Sequence, residues 1–295
     1  MPENLSELAF AGVLGGRRVT MASLPGHPPI AAEADFALVG YIEPRRLPAA
    51  LASLVDAIDG FDDWAKHTPM NTLPPALPED SSFVPFFFDI LKQHTPNDFT
   101  RGLLMNGRHG AVEAPALIIA GWHDVLLDAD LAHFSAMRQS AASARARNDT
   151  QLVIGPWAHG MFQHVVGDLD FGFRASGMFL DLREDLTALQ LRWFDRWLSG
   201  KGGEPNREAP VKIFVQGANR WRDESDWPLA RAVETPLFLA GGGGLLNAPE
   251  SQTSPQSFLY DPANPCPTMG GPILMPPTYR RGPVNQRVWL ERTDV

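Results

Sequence analysis

Three rhythms of hydrophobic and polar positions follow one another along the chain. In the first, Leu51, Leu54, Val55 and Ile58 recur at i, i+3, i+4 and i+7, and Gly60 is placed to end that helix. Residues 83–91 read as a second helix, with Pro85 in its first turn, and Pro69, Pro74, Pro75 and Pro78 mark a loop between the two. This pattern predicts a helical cap region over residues 1–108.

The second rhythm, over residues 109–200, is that of an α/β domain. Ala116-Leu117-Ile118-Ile119-Ala120 is a continuous apolar run suited to a strand covered on both faces. Residues 129–144 follow as a helix with Leu131, Phe134 and Met137 on one side. Gln151-Leu152-Val153-Ile154 is a second such strand, which Gly155-Pro156 is expected to end. Strand, helix and strand in this order predict a βαβ unit with two parallel neighbouring strands. Residues 181–198 form an amphipathic helix with Leu182, Leu186, Leu189, Trp193 and Trp197 along one stripe, stopped by Gly200, Gly202 and Gly203. Trp193, Phe194 and Trp197 are read as core.

In the third, over residues 210–295, the period falls to two. Val211, Ile213 and Val215 alternate with Lys212, Phe214 and Gln216, and residues 236–240 and 257–260 are further short strands. Gly241 to Gly244, a flexible turn, and the prolines at 262, 265 and 267 punctuate them, which predicts an all-β sandwich beginning at 210. Trp221-Arg222 and Trp227-Pro228 flank the acidic run 223–226 and are expected to pack between domains.

Composition narrows the function. The 295 residues carry 25 Lys and Arg against 34 Asp and Glu, a net charge of −9, with basic residues clustered only in pairs such as Arg17-Arg18 and Arg45-Arg46. Such a surface disfavours nucleic acid. The single Cys266 allows no intrachain disulfide and no multi-cysteine zinc site. No apolar run approaches the ~20 residues of a membrane span. The start Met1-Pro2-Glu3-Asn4 lacks the basic region of an export signal, so the expected location is the cytoplasm.

Two loops directly follow the buried strands: Gly121-Trp122-His123-Asp124 and Gly155-Pro156-Trp157-Ala158-His159-Gly160. Catalytic groups gather at the carboxyl ends of parallel strands, so Asp124 and His159 are expected on one sheet edge. There the carboxylate orients the imidazole and His159 serves as general base. Singly, Asp124 reads as a helix cap and His159 as a solvated loop residue; their order on adjacent strands favours the functional reading. A metal site built from His123, Asp124, Asp128, Asp130 and His133 is disfavoured. Asp128 and Asp130 suit a helix N-terminus, and His133 finds only Asp130 as co-ligand on its own face. His164 reads as a loop histidine. No metal or cofactor is expected. No Gly-x-Ser-x-Gly elbow occurs in the 295 residues, so the chain as written has no triad nucleophile.

The strand-and-loop motifs ending at Asp124 and His159 resemble the acid and histidine motifs of the CocE/NonD family, the cocaine esterases and X-Pro dipeptidyl-peptidases. Arg192-Trp193-Phe194-Asp195-Arg196-Trp197-Leu198, Trp221-Arg222-Asp223-Glu224-Ser225-Asp226-Trp227-Pro228 and Leu259-Tyr260-Asp261-Pro262-Ala263-Asn264-Pro265 are similar to its linker helix and C-terminal part. The resemblance covers about residues 95–295. It implies a serine hydrolase of esters, amides or peptides in which Asp124 is the triad acid and His159 the base. It also implies an α/β-hydrolase domain with a helical cap and a jelly-roll sandwich. The family's nucleophile elbow belongs to a portion not found here and its sandwich continues further. The expectation is therefore a partial hydrolase, inactive alone and poorly soluble, with an incomplete jelly roll. A noncatalytic binding protein and a metal-dependent hydrolase are the alternatives. The expected partner is a small-molecule ester, amide or peptide substrate; oligomeric state is open.

Overall fold

The computed structural model describes residues 104–199, 208–250, 266–274 and 279–291, with isolated positions elsewhere. The chain divides into two compact units, Met1–Leu104 and Met105–Val295. Of the first, the described part holds an antiparallel pair, β1 (Val13–Leu14) and β2 (Arg17–Arg18). The helices expected around 47–58 and 83–91 lie almost wholly outside the described residues.

The second unit is built on a four-stranded sheet ordered β3-β4-β7-β8. Its strands are β3 (Leu117–His123), β4 (Gln151–Ala158), β7 (Val211–Val215) and β8 (Arg220–Glu224). β3, β4 and β7 are parallel, and β8 returns antiparallel from β7. The expected βαβ unit is present, with α1 (Leu127–Ser140) and α2 (Ala144–Asp149) in the crossover. The helix expected over 129–144 runs over Leu127–Ser140, and a second short helix follows it. Ser143 divides them by accepting the Ala146 N–H at 2.9 Å as an N-cap.

Residues 211–224 do not open a separate sandwich. Leu152 pairs with Val211 and Ile154 with Ile213, so β7 extends the α/β sheet and carries β8 with it. The period-two alternation was real, but its cause is different. Val211 and Ile213 face one apolar layer and Phe214 the other, with Lys212 at the strand's amino end ion-paired to Asp223 at 2.7 Å. Trp221 and Glu224 are accordingly inside a strand rather than beside a turn.

Alternation along the strands sorts the core into two layers. Ile118, Ala120, Leu152, Ile154, Val211 and Ile213 pack with Phe134 of α1 on one face. Val153, Trp157, Phe214 and Trp221 pack on the other with Leu180, Leu186 and Leu189. The last two belong to α3 (Leu186–Leu198), which starts later than 181 because Asp185 caps it, accepting the Ala188 N–H at 2.6 Å. Asp181 and Leu182, with φ of 52° and 59°, lie outside the helix, so Leu182 does not join the stripe. Trp193 is buried and stacks edge-on against the half-buried Trp197, whereas Phe194 is exposed.

β4 does not end at Pro156. Gly121 pairs with Gly155, but His123 pairs with Ala158, so β4 spends one residue more than β3 between these pairs. Proline cannot donate to a ladder and is accommodated where a bulge already breaks it. Trp157, wholly buried, fixes the bulge. Its indole donates to the Ala175 carbonyl at 2.7 Å, and it lies so close to Gly121 and Gly155 that a Cβ on either would come within 2.3 Å of it. Beyond the sheet are the hairpins β5 (Val165–Val166) with β6 (Leu169–Asp170) and β9 (Phe238–Leu239) with β10 (Leu245–Leu246), then α4 (Arg287–Leu290). Gly241–Gly243 form a 3-10 turn inside the β9–β10 hairpin. No helix among the described residues is long and apolar enough to cross a membrane.

Glu224 is buried at the end of β8 and gripped by Arg231 and Arg222. The hydrogen bond from Arg231 is the largest effect. With Arg222 it overcomes burial and holds the carboxyl down to about 2. A carboxylate depressed on folding adds stability above its unfolded value, about 4.3, and loses it as pH falls through its folded value. Glu224→Gln should therefore lower the melting temperature at pH 7. The gap to the parent should close between about pH 4.5 and pH 2, as followed by thermal melts across that range.

Candidate active site

The bulge decides what stands at the carboxyl edge of the sheet. With His123 opposite Ala158, Asp124 and His159 are the residues that directly follow the last pair of the two strands. An unbulged register would set His159 against Val125, on the other face. As folded, His159 Nδ1 lies 3.0 Å from Asp124 Oδ1 and 3.1 Å from Oδ2. A carboxylate only accepts, so Nδ1 carries the proton of this hydrogen bond and donates it.

Asp124 is held as firmly as its partner. Its side chain is 14% exposed, its Oδ1 also accepts the Leu126 N–H at 2.9 Å, and its own N–H donates to the Gly121 carbonyl at 3.0 Å. The histidine side chain is 38% exposed, open enough for a reacting group to approach. The pair thus combines a mostly buried carboxylate with a more accessible imidazole.

The neighbouring histidines go elsewhere. Gln216, just past β7, donates to His123 Nε2 at 3.1 Å, and burial pushes the His123 imidazole below its ordinary range. His133 pairs with His109, ring nitrogens 2.9 Å apart; burial first and then His109 hold it low. Asp130, in the first turn of α1, has its carboxyl raised by burial and then by the charge of Asp124, partly offset by His159. The residues 123, 124, 128, 130 and 133 therefore do not converge. Among the described residues no group of three or more His, Cys, Asp or Glu could hold a metal ion. His164 stacks on Phe173 and lies 4.0 Å from Asp170.

Sequence reasoning missed Arg281, whose guanidinium donates to the His159 carbonyl at 3.1 Å. A contact across 122 residues leaves no local pattern to read. Gln216 was equally hidden, since it reaches the site only because β7 joins this sheet.

A mixed α/β sheet with an acid and a histidine on consecutive parallel strand ends is the arrangement of an α/β-hydrolase-like protein. Comparison with known proteins narrows this. Residues 44–161 match the family model of X-Pro dipeptidyl-peptidase (S15 family). Cocaine esterase from Rhodococcus sp. (strain MB1 Bresler) is 34% identical over 222 residues, which is 72% of this chain and 37% of the esterase. The chain is thus similar to hydrolases of the CocE/NonD family, and spans little more than a third of that curated relative's length. A solved aminopeptidase from a marine sediment Thaumarchaeota archaeon is 22% identical and covers 67% of this chain and 31% of its own, with a TM-score of 0.46. Residues 1–64 also match the model of the 3-octaprenyl-4-hydroxybenzoate carboxy-lyase Rift-related domain, a similarity that stands beside the cap expected there.

The Asp124–His159 contact makes a spectroscopic prediction. In the parent, 15N spectra should show His159 as the single Nδ1–H tautomer. Asp124→Asn, whose amide can donate as well as accept, should give a mixture of tautomers while the melting temperature stays close to the parent's. An unchanged tautomer in the variant would mean that the carboxylate does not orient the ring.

Proposed function

We propose that this chain carries the acid and base of a serine hydrolase that acts on ester, amide or peptide bonds. Asp124 orients His159 and stabilises its imidazolium. His159 Nε2 takes the proton from a serine hydroxyl as it attacks the carbonyl and returns it to the leaving group. The observation that carries this reading is the Asp124–His159 hydrogen bond at neighbouring strand ends, with the carboxylate mostly buried and the imidazole more open. The similarity to cocaine esterase and to the X-Pro dipeptidyl-peptidase family model supports the reaction class.

The serine is not among the 295 residues in any elbow context, so we read the chain alone as inactive and its nucleophile as supplied by other polypeptide. The same absence is what favours the second reading, a noncatalytic binding protein that keeps the hydrolase frame. The helical cap over 1–108 and a jelly-roll sandwich also belong to the proposal, the sandwich now beginning after β8.

The isolated chain should not react with a fluorophosphonate probe and should not hydrolyse p-nitrophenyl esters. Combined with a nucleophile-bearing segment of the same family, it should do both. In that assembly Asp124→Asn should cut kcat by about 10⁴ with little change in KM. Full turnover in the variant would remove Asp124 from the mechanism. Assemblies that form but never acquire activity would favour the binding protein.

A further inference from the structure

His159 is held at its ring by Asp124, but the loop that follows it needs its own restraint. Gly160, at φ +68°, sits in a turn that the Met161 N–H closes on the Ala158 carbonyl at 3.1 Å. A second, long-range restraint comes from residues 280–285, far along the chain. Arg281 donates from Nη1 to the His159 carbonyl at 3.1 Å.

That contact does not stand alone. Residues 280–285 dock onto the two-residue turn Gly167-Asp168 of the β5–β6 hairpin, just downstream of His159. Arg280 forms an ion pair with Asp168. Asp168 donates its N–H to the Pro283 carbonyl at 2.7 Å and accepts the Asn285 N–H at 2.9 Å. Two glycines permit the approach. A Cβ on Gly167 would lie 2.2 Å from the Pro283 oxygen, and one on Gly282 would lie 2.5 Å from Val166. Both have positive φ, 60° and 89°, so each position excludes other residues twice over. Gly271 and Gly282 exchange backbone hydrogen bonds at 2.7 and 3.0 Å, which braces the segment from behind.

We infer that Arg281 is a positioning residue for His159: the 280–285 segment is a clamp, anchored on Asp168, that fixes the backbone of the base from a remote part of the chain. Anchor and effector are adjacent residues, Arg280 and Arg281, so docking the first delivers the second. The role rests on the reading of His159 as the base, but its signature is spectral and independent of turnover.

The test is the exchange rate of the His159 Nδ1 proton with solvent, measured by NMR on the full chain. Arg281→Met should speed this exchange about tenfold, as expected when a charged hydrogen bond to the loop is lost, with Arg281→Lys recovering part of it. Asp168→Asn, which weakens the anchor, should shift the rate in the same direction. Phe134→Leu, a core change remote from the loop, should lower stability without moving it. Equal exchange rates in the parent, Arg281→Met and Asp168→Asn would overturn the inference, as would a Phe134→Leu effect as large as that of Arg281→Met. Hydrolysis that fails with this pattern intact would count against the proposed function and leave the clamp standing.

Discussion

The site depends on one extra residue in β4. Without the bulge between the Gly121–Gly155 and His123–Ala158 pairs, His159 would face away from Asp124. The bulge is built from three sequence features acting together. Pro156 cannot complete the ladder, and Trp157 needs a buried pocket with an acceptor for its indole. Glycines at 121 and 155 give that indole and its backbone the room they require. Substituting either glycine would press on Trp157, and so on the register, before it touched the base itself.

The rest of the unit serves to hold that edge still. α1 covers one face of the sheet through Phe134, while α3 and the loop before it cover the other around Trp157. The β7–β8 pair adds to the sheet beyond β4 and supplies Gln216 to His123, which occupies the neighbouring imidazole. Asp124 is thereby left with a single imidazole partner. The clamp from residues 280–285 extends the same logic beyond the sheet, to the backbone of His159.

Much of this was legible in the sequence. Continuous apolar runs at 116–120 and 151–154 announce buried parallel strands, and a residue that follows such a strand directly belongs at its carboxyl edge. Asp124 and His159 could be paired on that basis. What could not be read was register. Gly155-Pro156 signals an end to a strand in isolation, and only the tertiary fit of Trp157 turns it into a bulge within one. The alternation at 211–215 was also ambiguous, because a two-faced strand looks the same in a sandwich and at the third position of an α/β sheet. Long-range tenants of the site, Gln216 and Arg281, have no local signature at all.

The most direct test of this account is the set of cross-strand backbone NOEs between β3 and β4. The account predicts contacts that set Gly121 opposite Gly155 and His123 opposite Ala158, with Pro156 and Trp157 sharing one partner. Continuous pairing of Trp122 with Pro156 and His123 with Trp157 would place His159 beyond Asp124 and contradict the proposed acid–base pair.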